Sequence, residues 1–549
     1  MTPKNVDVLV VGGGTVGLSA ALFLASQGLT PLVVERRAAL STHPRALGVG
    51  PRGLEPLRAA GVEPALHHTP KRPPPTGRVQ VSTLADPAPS APPPTARADW
   101  DRLERQSAAI SPASGGDRAQ DQLDPVLFEA AVGRGATVRF NVEASALAED
   151  EDGVLVTLVN RDTRAEAVVH ARYVVAADGA RSAVRQWCGI GTTGPGSFGS
   201  HMMNILFRAD LRHLPSYRPG SMHDIRNPRS SGLLFAVDGQ HRHAFHVRYD
   251  PDAGERPEDF PPERCVELVR EAIGRADVDV EFLSALPWGS SALVARKFAE
   301  GRVFLVGDAA HVLPPVGGFG LNTGIADADN LAWKLALVLT GRAGPELLHS
   351  YDAERRPLAE FTMAQVLLRG TNMRLHWDFG KVAERSALGI AEILVAQVGH
   401  HYAEGAVINP RTALPSLTEV VLDGTPGTRA PHVWVRHQGT RVSTLDLVAT
   451  QFTVLTGPEG HHWRAAAATA TTALGLPVTA HMITREEGPT QDPEGRWLTT
   501  TNLPPHGALL VRPDGFVAWR RDTPPPDPTA ALLAALRHLL RREEVLQPA

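Results

Sequence analysis

A chain of 549 residues with 43% hydrophobic composition exceeds one compact core and calls for two or three domains. Its formal net charge of -4, with both signs interspersed, leaves no strongly basic surface for nucleic acid. The two cysteines, Cys188 and Cys265, stand far apart in no metal-binding or Cys-x-x-Cys spacing, so neither a disulfide scaffold nor a metal site is expected, and a reducing cytoplasm fits.

Residues 6–11 read as a buried strand, followed by a glycine turn and a helix over 16–27 that ends at Gly28. Residues 32–34 supply a second, parallel strand that closes a βαβ unit at Glu35. The start lacks the basic-then-apolar pattern of a signal peptide, and no apolar stretch reaches the ~20 residues of a membrane helix. Residues 70–98 are crowded with prolines and read as a surface loop or a lid, with 78–84 as a candidate edge strand. A helix is expected over 123–132, a strand over 137–140, and a strand pair over 155–159 and 167–175. Residues 200–290 alternate like strands and form a β-rich domain. Residues 303–306 make another buried strand, a long helix covers about 323–339, and helical patterning continues to about 399. Past a composition break at 409–431 come a strand (452–455), a helix (463–474), two paired strands (508–511 and 516–519) and an amphipathic helix (530–540).

Three motifs carry the chemistry. The first is Gly12-Gly13-Gly14-Thr15-Val16-Gly17, between a strand and a helix. Gly12 permits the tight turn, Gly14 admits a pyrophosphate to the backbone, and Gly17 lets helix pack on sheet, while helix N-terminal amides hold the phosphates. Glu35, with Arg36 beside it, stands where a carboxylate accepts hydrogen bonds from an adenosine ribose. The second motif is Asp178-Gly179 in Tyr173-Val-Val-Ala-Ala-Asp178-Gly179-Ala-Arg-Ser182. The third is Gly307-Asp308-Ala-Ala-His311, followed by Pro314-Pro315-Val-Gly317-Gly318-Phe-Gly320-Leu321-Asn322 at the start of the long helix. Asp308 sits at a strand's C-terminal end, placed for ribityl hydroxyls. The glycine run lets backbone amides meet a flat ring, and the helix dipole favours negative charge at its N1 and O2. Together they point to FAD.

In this order and spacing the motifs resemble those of the class A flavoprotein aromatic monooxygenases of the p-hydroxybenzoate hydroxylase type. Arg45, in His43-Pro44-Arg45-Ala46, and Gln120, in Gln120-Asp-Gln-Leu-Asp-Pro, match family residues near the flavin. The C-terminal region and residues 251–260 resemble the subgroup that tailors aromatic polyketides, among them the aklavinone and angucycline hydroxylases. The resemblance implies an α/β fold: an FAD-binding Rossmann-like domain of the glutathione reductase type, an interleaved β-rich substrate domain, and a C-terminal thioredoxin-like domain. Their expected extents are 1–70, 100–185 and 295–400; 71–99 and 186–294; and 432–549, after a linker over 401–431. The last domain lacks Cys-x-x-Cys, since its loop reads Gly457-Pro-Glu-Gly-His-His-Trp463, and so cannot run dithiol chemistry.

The resemblance further implies transient NADPH (or NADH) as electron donor, O2 as co-substrate, a C4a-hydroperoxyflavin and a polycyclic aromatic substrate. The flavin is expected to swing against the loop of Pro314, Pro315, Gly317 and Gly318. No membrane or nucleic-acid partner is expected, and the chain is a monomer or a homodimer. A base would speed attack on a phenol. Candidates in the β-rich domain are His223, His243, Arg248 and Tyr249, with His201, His241 and His246 also weighed. Alternation puts His241, His243, Phe245 and Tyr249 on one face and His246 and Arg248 on the other. His311 reads as structural support beside the flavin. Phe198, Phe207, Phe235 and Trp288 could line an apolar pocket or pack a core. Baeyer–Villiger or other oxidative ring rearrangement is the alternative on the same scaffold, and a non-catalytic aromatic-drug-binding protein is a minor one.

Overall fold

Uninterrupted apolar runs make the centre of the first sheet. A computed structural model describes residues 4–87, 95–239, 241–448 and 450–542. In it β1 (Lys4–Val11) lies between β2 (Leu32–Glu35) and the strand Glu166–Ala176, parallel to both. Val303–Leu305 extends the sheet in parallel beyond Glu166–Ala176, and Thr137–Phe140 does so beyond β2. Strands covered on both faces read as apolar runs, and Val8, Leu9, Val10, Val33, Val174 and Leu305 are all fully buried. Val142–Glu149, a strand not expected from sequence, and Val154–Asn160 complete the layer as an antiparallel ribbon. Helix α1 (Thr15–Ser26) covers the sheet and packs on the long helix Phe319–Leu339.

The second sheet has seven strands, ordered Gly77–Val81, Ser221–Arg226, Ser231–Ala236, Arg242–Tyr249, Thr192–Arg208, Glu281–Ala295 and His311–Val312. The edge strand expected in the proline-rich stretch is Gly77–Val81, paired in parallel with Ser221–Arg226. The Pro92-Pro93-Pro94 run lies outside the described residues, and a helix, Thr95–Ile110, follows it where none was expected. The sheet's two faces differ. Met203, Ile205, Phe207, Phe245 and Val247 pack with Cys265, Val269 and Ala272 of the helix Pro262–Ile273, another unexpected element. On the opposite face Leu206, Phe235 and Ala244 pack with Leu47 and Ala119 of the first domain. Two polar contacts fix that docking: Arg242 Nη2 donates to Asp121 at 2.5 Å, and His43 Nδ1 lies 2.7 Å from Ser284 Oγ.

The third sheet centres on Phe452–Thr456, which is parallel to Val478–Thr484 and antiparallel to Ala508–Val511; Val517–Arg521 pairs beyond the latter. Helices His461–Leu474 and Pro528–Leu539 pack together on it. Residues 401–431 do not run free between domains. Ile408 N donates to Ala518 O and Tyr402 N to Gly427 O, both at 2.8 Å, so this stretch is stitched into the third sheet's surroundings. A buried ionic network joins this unit to the first domain. Arg512 donates to both oxygens of Glu354 (2.7 and 2.9 Å) and to Asp514, while Lys334 Nζ donates to Glu354 at 2.8 Å. Arg512, Glu354 and Lys334 have no exposed side-chain surface. Removing one partner strands the others in a dry interior. Arg512→Ala is expected to lower stability by about 3–5 kcal/mol, read as a drop in the urea midpoint; an unchanged midpoint would show that the network does not hold the third domain.

Candidate active site

The glycine turn is built for close approach. Gly12 has φ +107°, where an added Cβ would collide with the Ala177 carbonyl, and a Cβ on Gly17 would collide with the Gly12 carbonyl. Gly14 differs: a Cβ there meets nothing within 4 Å among the described residues. The N-terminus of α1 therefore opens onto free space, ready for a phosphate. Glu35 is buried, and its oxygens accept from Gly13 N (2.8 Å) and Arg37 N (2.9 Å). It braces the turn and keeps one lone pair per oxygen for a ribose hydroxyl. Arg36 is exposed beside it.

The other two motifs converge on the same end of the sheet. Asp178 Oδ2 accepts from Val184 N at 3.1 Å, while its Oδ1 is buried without a partner among the described residues. Gly179 has φ +85° and open space at its Cβ position. Arg185 Nη1 donates to Ala309 O at 2.8 Å, joining the Asp178-Gly179 segment to the Gly307-Asp308 turn. Val16 packs against Gly307 and Gly324, so the first motif touches the third. Asp308 is exposed, yet surrounding protein desolvates it enough to raise its carboxyl above the usual range, opposed by His311 and Arg45. Arg45 is likewise exposed and desolvated, and Asp308 and Asp124 are among the charges that act on it. Solvent access combined with crowding fits two residues that line a recess, and their charges act on each other.

Gly318 caps Phe319–Leu339 in the left-handed conformation at φ +66°, with open space at its Cβ position. Gly317, at φ +84°, shares the turn. Pro315 is exposed, Pro314 is buried, and Gly320 and Leu321 are half-buried. Asn322 spends its amide on protein: Oδ1 accepts from Gly50 N at 2.7 Å, and Nδ2 donates to Gly318 O at 2.8 Å. It sets the loop, in which Gly318 N also donates to Pro315 O at 3.1 Å. Gln120 clamps the loop bearing Arg45, since its N donates to Ala46 O at 2.9 Å and its Oε1 accepts from Ala46 N at 3.3 Å. Open backbone at Gly14, Gly179 and Gly318, together with the unpaired Asp178 oxygen, fits a dinucleotide laid across the strand ends.

Sequence reading missed Asp124. It lies one helical turn after Gln120, the i, i+4 spacing that puts two side chains on one face, and it accepts from Thr15 Oγ1. Burial, partly offset by the Thr15 and Gln120 hydrogen bonds, pushes its carboxyl up to about 7.

The candidate bases divide between the two faces of the second sheet, and most stand on the wrong one. His223 and His243 belong to the face toward Pro262–Ile273. Arg218 N donates to His223 Nε2 at 3.0 Å, and His223 Nδ1 faces Leu234 O at 3.4 Å. His243 Nε2 lies 2.8 Å from Tyr217 OH. Burial drives both imidazoles down to about 4. Tyr249 and Phe207 share that core, with His201 against Tyr249. These residues pack the sheet onto its helix and do not face the cofactor motifs. The alternation holds within the strand Arg242–Tyr249; which face turns toward the cofactor motifs is decided by Leu47 and Ala119, from elsewhere in the chain. His246 and Arg248 stand on the cofactor side, as do Phe235 and Trp288, while Phe198 is exposed. His241 is half-buried just before the strand Arg242–Tyr249. His311 is fully buried, its Nε2 2.6 Å from Asp327.

Residues 5–366 match the family profile described as the FAD binding domain, and residues 423–542 match that of the aromatic-ring hydroxylase, C-terminal. The chain belongs to the FAD-dependent aromatic-ring hydroxylases. It is 39% identical to tetracenomycin A2 monooxygenase-dioxygenase of Streptomyces glaucescens, over 99% of this chain and 98% of that one. It is 38% identical to aklavinone 12-hydroxylase RdmE of Streptomyces purpurascens, over 99% and 100% respectively. Its structure matches that of aklavinone-11 hydroxylase in complex with FAD and aklavinone with TM-score 0.85 and 36% identity, covering 99% of this chain and all of that one. The hydroxylase is thus a flavin-dependent monooxygenase with FAD as its cofactor. Among its described residues no helix is long and apolar enough to cross a membrane.

Two outcomes follow for the hydroxylase. Gly14→Ala is expected to fold normally but copurify with several-fold less flavin, whereas Gly17→Ala loses both stability and flavin; flavin-to-protein absorbance and thermal melts separate the two. For Asp124 the folded-state pKa lies above the unfolded one. The native state therefore holds the extra proton, and the wild type loses stability as pH rises from about 4 to about 7. Asp124→Asn removes this slope, so the variant gains stability relative to wild type across that window; parallel melting curves for the two proteins would refute it.

Proposed function

We propose that this enzyme hydroxylates a polycyclic phenol or quinone of polyketide type, with NAD(P)H as reductant and O2 as oxidant. The carrying observation is the full-length likeness to aklavinone-11 hydroxylase, whose structure holds FAD and aklavinone. The sheet face toward the cofactor motifs supports it, because Phe235, His246 and Trp288 present flat rings there. In the balanced reaction, substrate, NAD(P)H, a proton and O2 give the hydroxylated product, NAD(P)+ and water. FAD, when bound, would supply the redox chemistry that couples NAD(P)H oxidation to oxygen insertion.

The residues divide the remaining work. The amides of Gly14, Thr15, Val16 and Gly17 at the α1 N-terminus bind the pyrophosphate, and Glu35 the adenosine ribose. Asp308 accepts from ribityl hydroxyls, with Arg45 balancing its charge. The turn of Gly317 and Gly318 would turn the N-terminal end of the long helix toward the flavin, where its dipole would favour negative charge. The apolar face of Leu47, Ala119, Leu206, Phe235 and Ala244 keeps water from the reaction. The first sheet is read as the glutathione reductase type of FAD fold. The third sheet is read as thioredoxin-like, on its strand order Val478–Thr484, Phe452–Thr456, Ala508–Val511, Val517–Arg521. Both free cysteines, Cys188 and Cys265, lie outside it, so its role is structural.

The test incubates the FAD-loaded enzyme with NADPH, isotopically labelled O2 and a panel of polycyclic phenols and quinones. Substrate-stimulated NADPH oxidation, with one labelled oxygen replacing one aromatic hydrogen, is expected. Oxidation without label in any product sinks the proposal. A labelled lactone in place of a phenol would instead establish oxidative ring rearrangement.

A further inference from the structure

The strand register fixes what the cofactor side of the second sheet presents. His246 pairs with Asn204, and Asn204 with Leu286; one pleat along, Arg248 pairs with Met202, and Met202 with Trp288. Directly paired residues share a face, and so do alternate residues of one strand. His246, Asn204, Arg248 and Trp288 therefore all point toward the first domain. His246 also feels the charge of His43, two residues before Arg45, which ties this patch to the cofactor loop.

The His246 and Trp288 rings meet edge to face with centroids 5.2 Å apart. Among the described residues, His246 Nε2 and Trp288 Nε1 are both buried without a hydrogen-bond partner. The two side chains are otherwise only half-buried, so the pair borders open space and a small shift of either ring admits a ligand to the two nitrogens. Buried polar atoms are almost always paired, and an orphan asks for a partner the fold does not supply. Burial, then the nearby His43, brings the His246 imidazole down to about 4, so it is neutral and Nε2 can accept. Indole Nε1 only donates. One group that both donates and accepts at a single oxygen is a phenolic hydroxyl.

We propose that His246 and Trp288 are positioning residues that together hold one phenolic hydroxyl of the substrate, which donates to His246 Nε2 and accepts from Trp288 Nε1–H. This rests on the hydroxylase reading above and adds how the substrate is oriented. A hydroxyl fixed there decides which ring carbon is offered to the flavin.

The experiment compares 2-hydroxyanthraquinone with anthraquinone on the FAD-loaded wild type and on Trp288→Phe, His246→Phe and His246→Gln. Binding is read from the change in flavin absorbance, and coupling as product formed per NADPH consumed. The wild type is expected to prefer the hydroxylated ligand by about tenfold, the worth of one net hydrogen bond. Trp288→Phe and His246→Phe should each shrink that preference toward unity and release more peroxide per NADPH at unchanged flavin content. His246→Gln, which can still accept, should restore part of both. A preference that persists in both phenylalanine variants, or is absent from the wild type, overturns the proposal. Should the preference hold while no ligand stimulates NADPH oxidation in the wild type, the hydroxyl receptor stands and the hydroxylase reading falls.

Discussion

On the long helix, Asp327 takes a hydrogen bond from Gly307 N at 3.1 Å, contacts His311 Nε2 at 2.6 Å and receives Arg355 Nε at 2.8 Å. No side-chain surface of Asp327, His311 or Arg355 is exposed. Burial by itself would raise this carboxyl, but His311 and Arg355 outweigh it and hold Asp327 below the usual range. A charge kept in a dry interior is stable only with its partners in place. The positions of those partners are thereby dictated: the Gly307 turn that aims Asp308, the start of the short strand His311–Val312, and the helix carrying Arg355. The geometry of the Gly307 turn hangs on one fully buried carboxylate.

The same helix repeats the arrangement further along. Asn330 Nδ2 donates to Glu354 at 2.6 Å and Lys334 to the same carboxylate, which also takes Arg512 from the third domain. Glu354 and Arg355 are adjacent, so one helix offers one charge to the cofactor turn and the other to the C-terminal unit. Against the Coulombic gain of such pairs stands a large desolvation cost, and apolar packing of equal volume would often be as stable. What charge adds is register, because each pair closes in one arrangement only. The third domain, with no cysteine pair to do redox work, is thus locked in place against the helix that begins at the Gly317-Gly318 turn.

How far the sequence could be read follows from how local each feature is. The glycine turn, the Gly307-Asp308 turn and the alternation of residues 243–249 depend on neighbours in the chain, and all three are visible in the sequence. The long helix begins at Phe319 rather than 323 because Gly320 and Asn322 are poor helix formers, held helical here by the Gly318 cap and by Asn322's contacts with Gly50 and Gly318. The strand Val478–Thr484 escapes notice because its burial barely alternates. Asp124 looks like any helical acid until Thr15, 109 residues away, is brought against it. No periodicity could say which face of the second sheet meets the flavin, since Leu47 and Ala119 come from another domain.

That choice of face shapes the chemistry available to the enzyme. The histidines expected as bases are neutral and already hydrogen-bonded within a core, so recruiting either as a base would break a packing contact. The opposite face holds three rings (Phe235, His246 and Trp288), an amide and one exposed arginine, Arg248. On the reading proposed above, such a surface would sort substrates by planarity and by the placement of a few oxygens, and would do little proton transfer of its own. For the aromatic hydroxylation proposed above this would suffice, because the cofactor would bring the reactivity and the protein's share would be orientation and exclusion of water. Swapping one oxygen-holding side chain on this face should therefore redirect regiochemistry more readily than it abolishes turnover, and the framework set by Asp327 would stay intact.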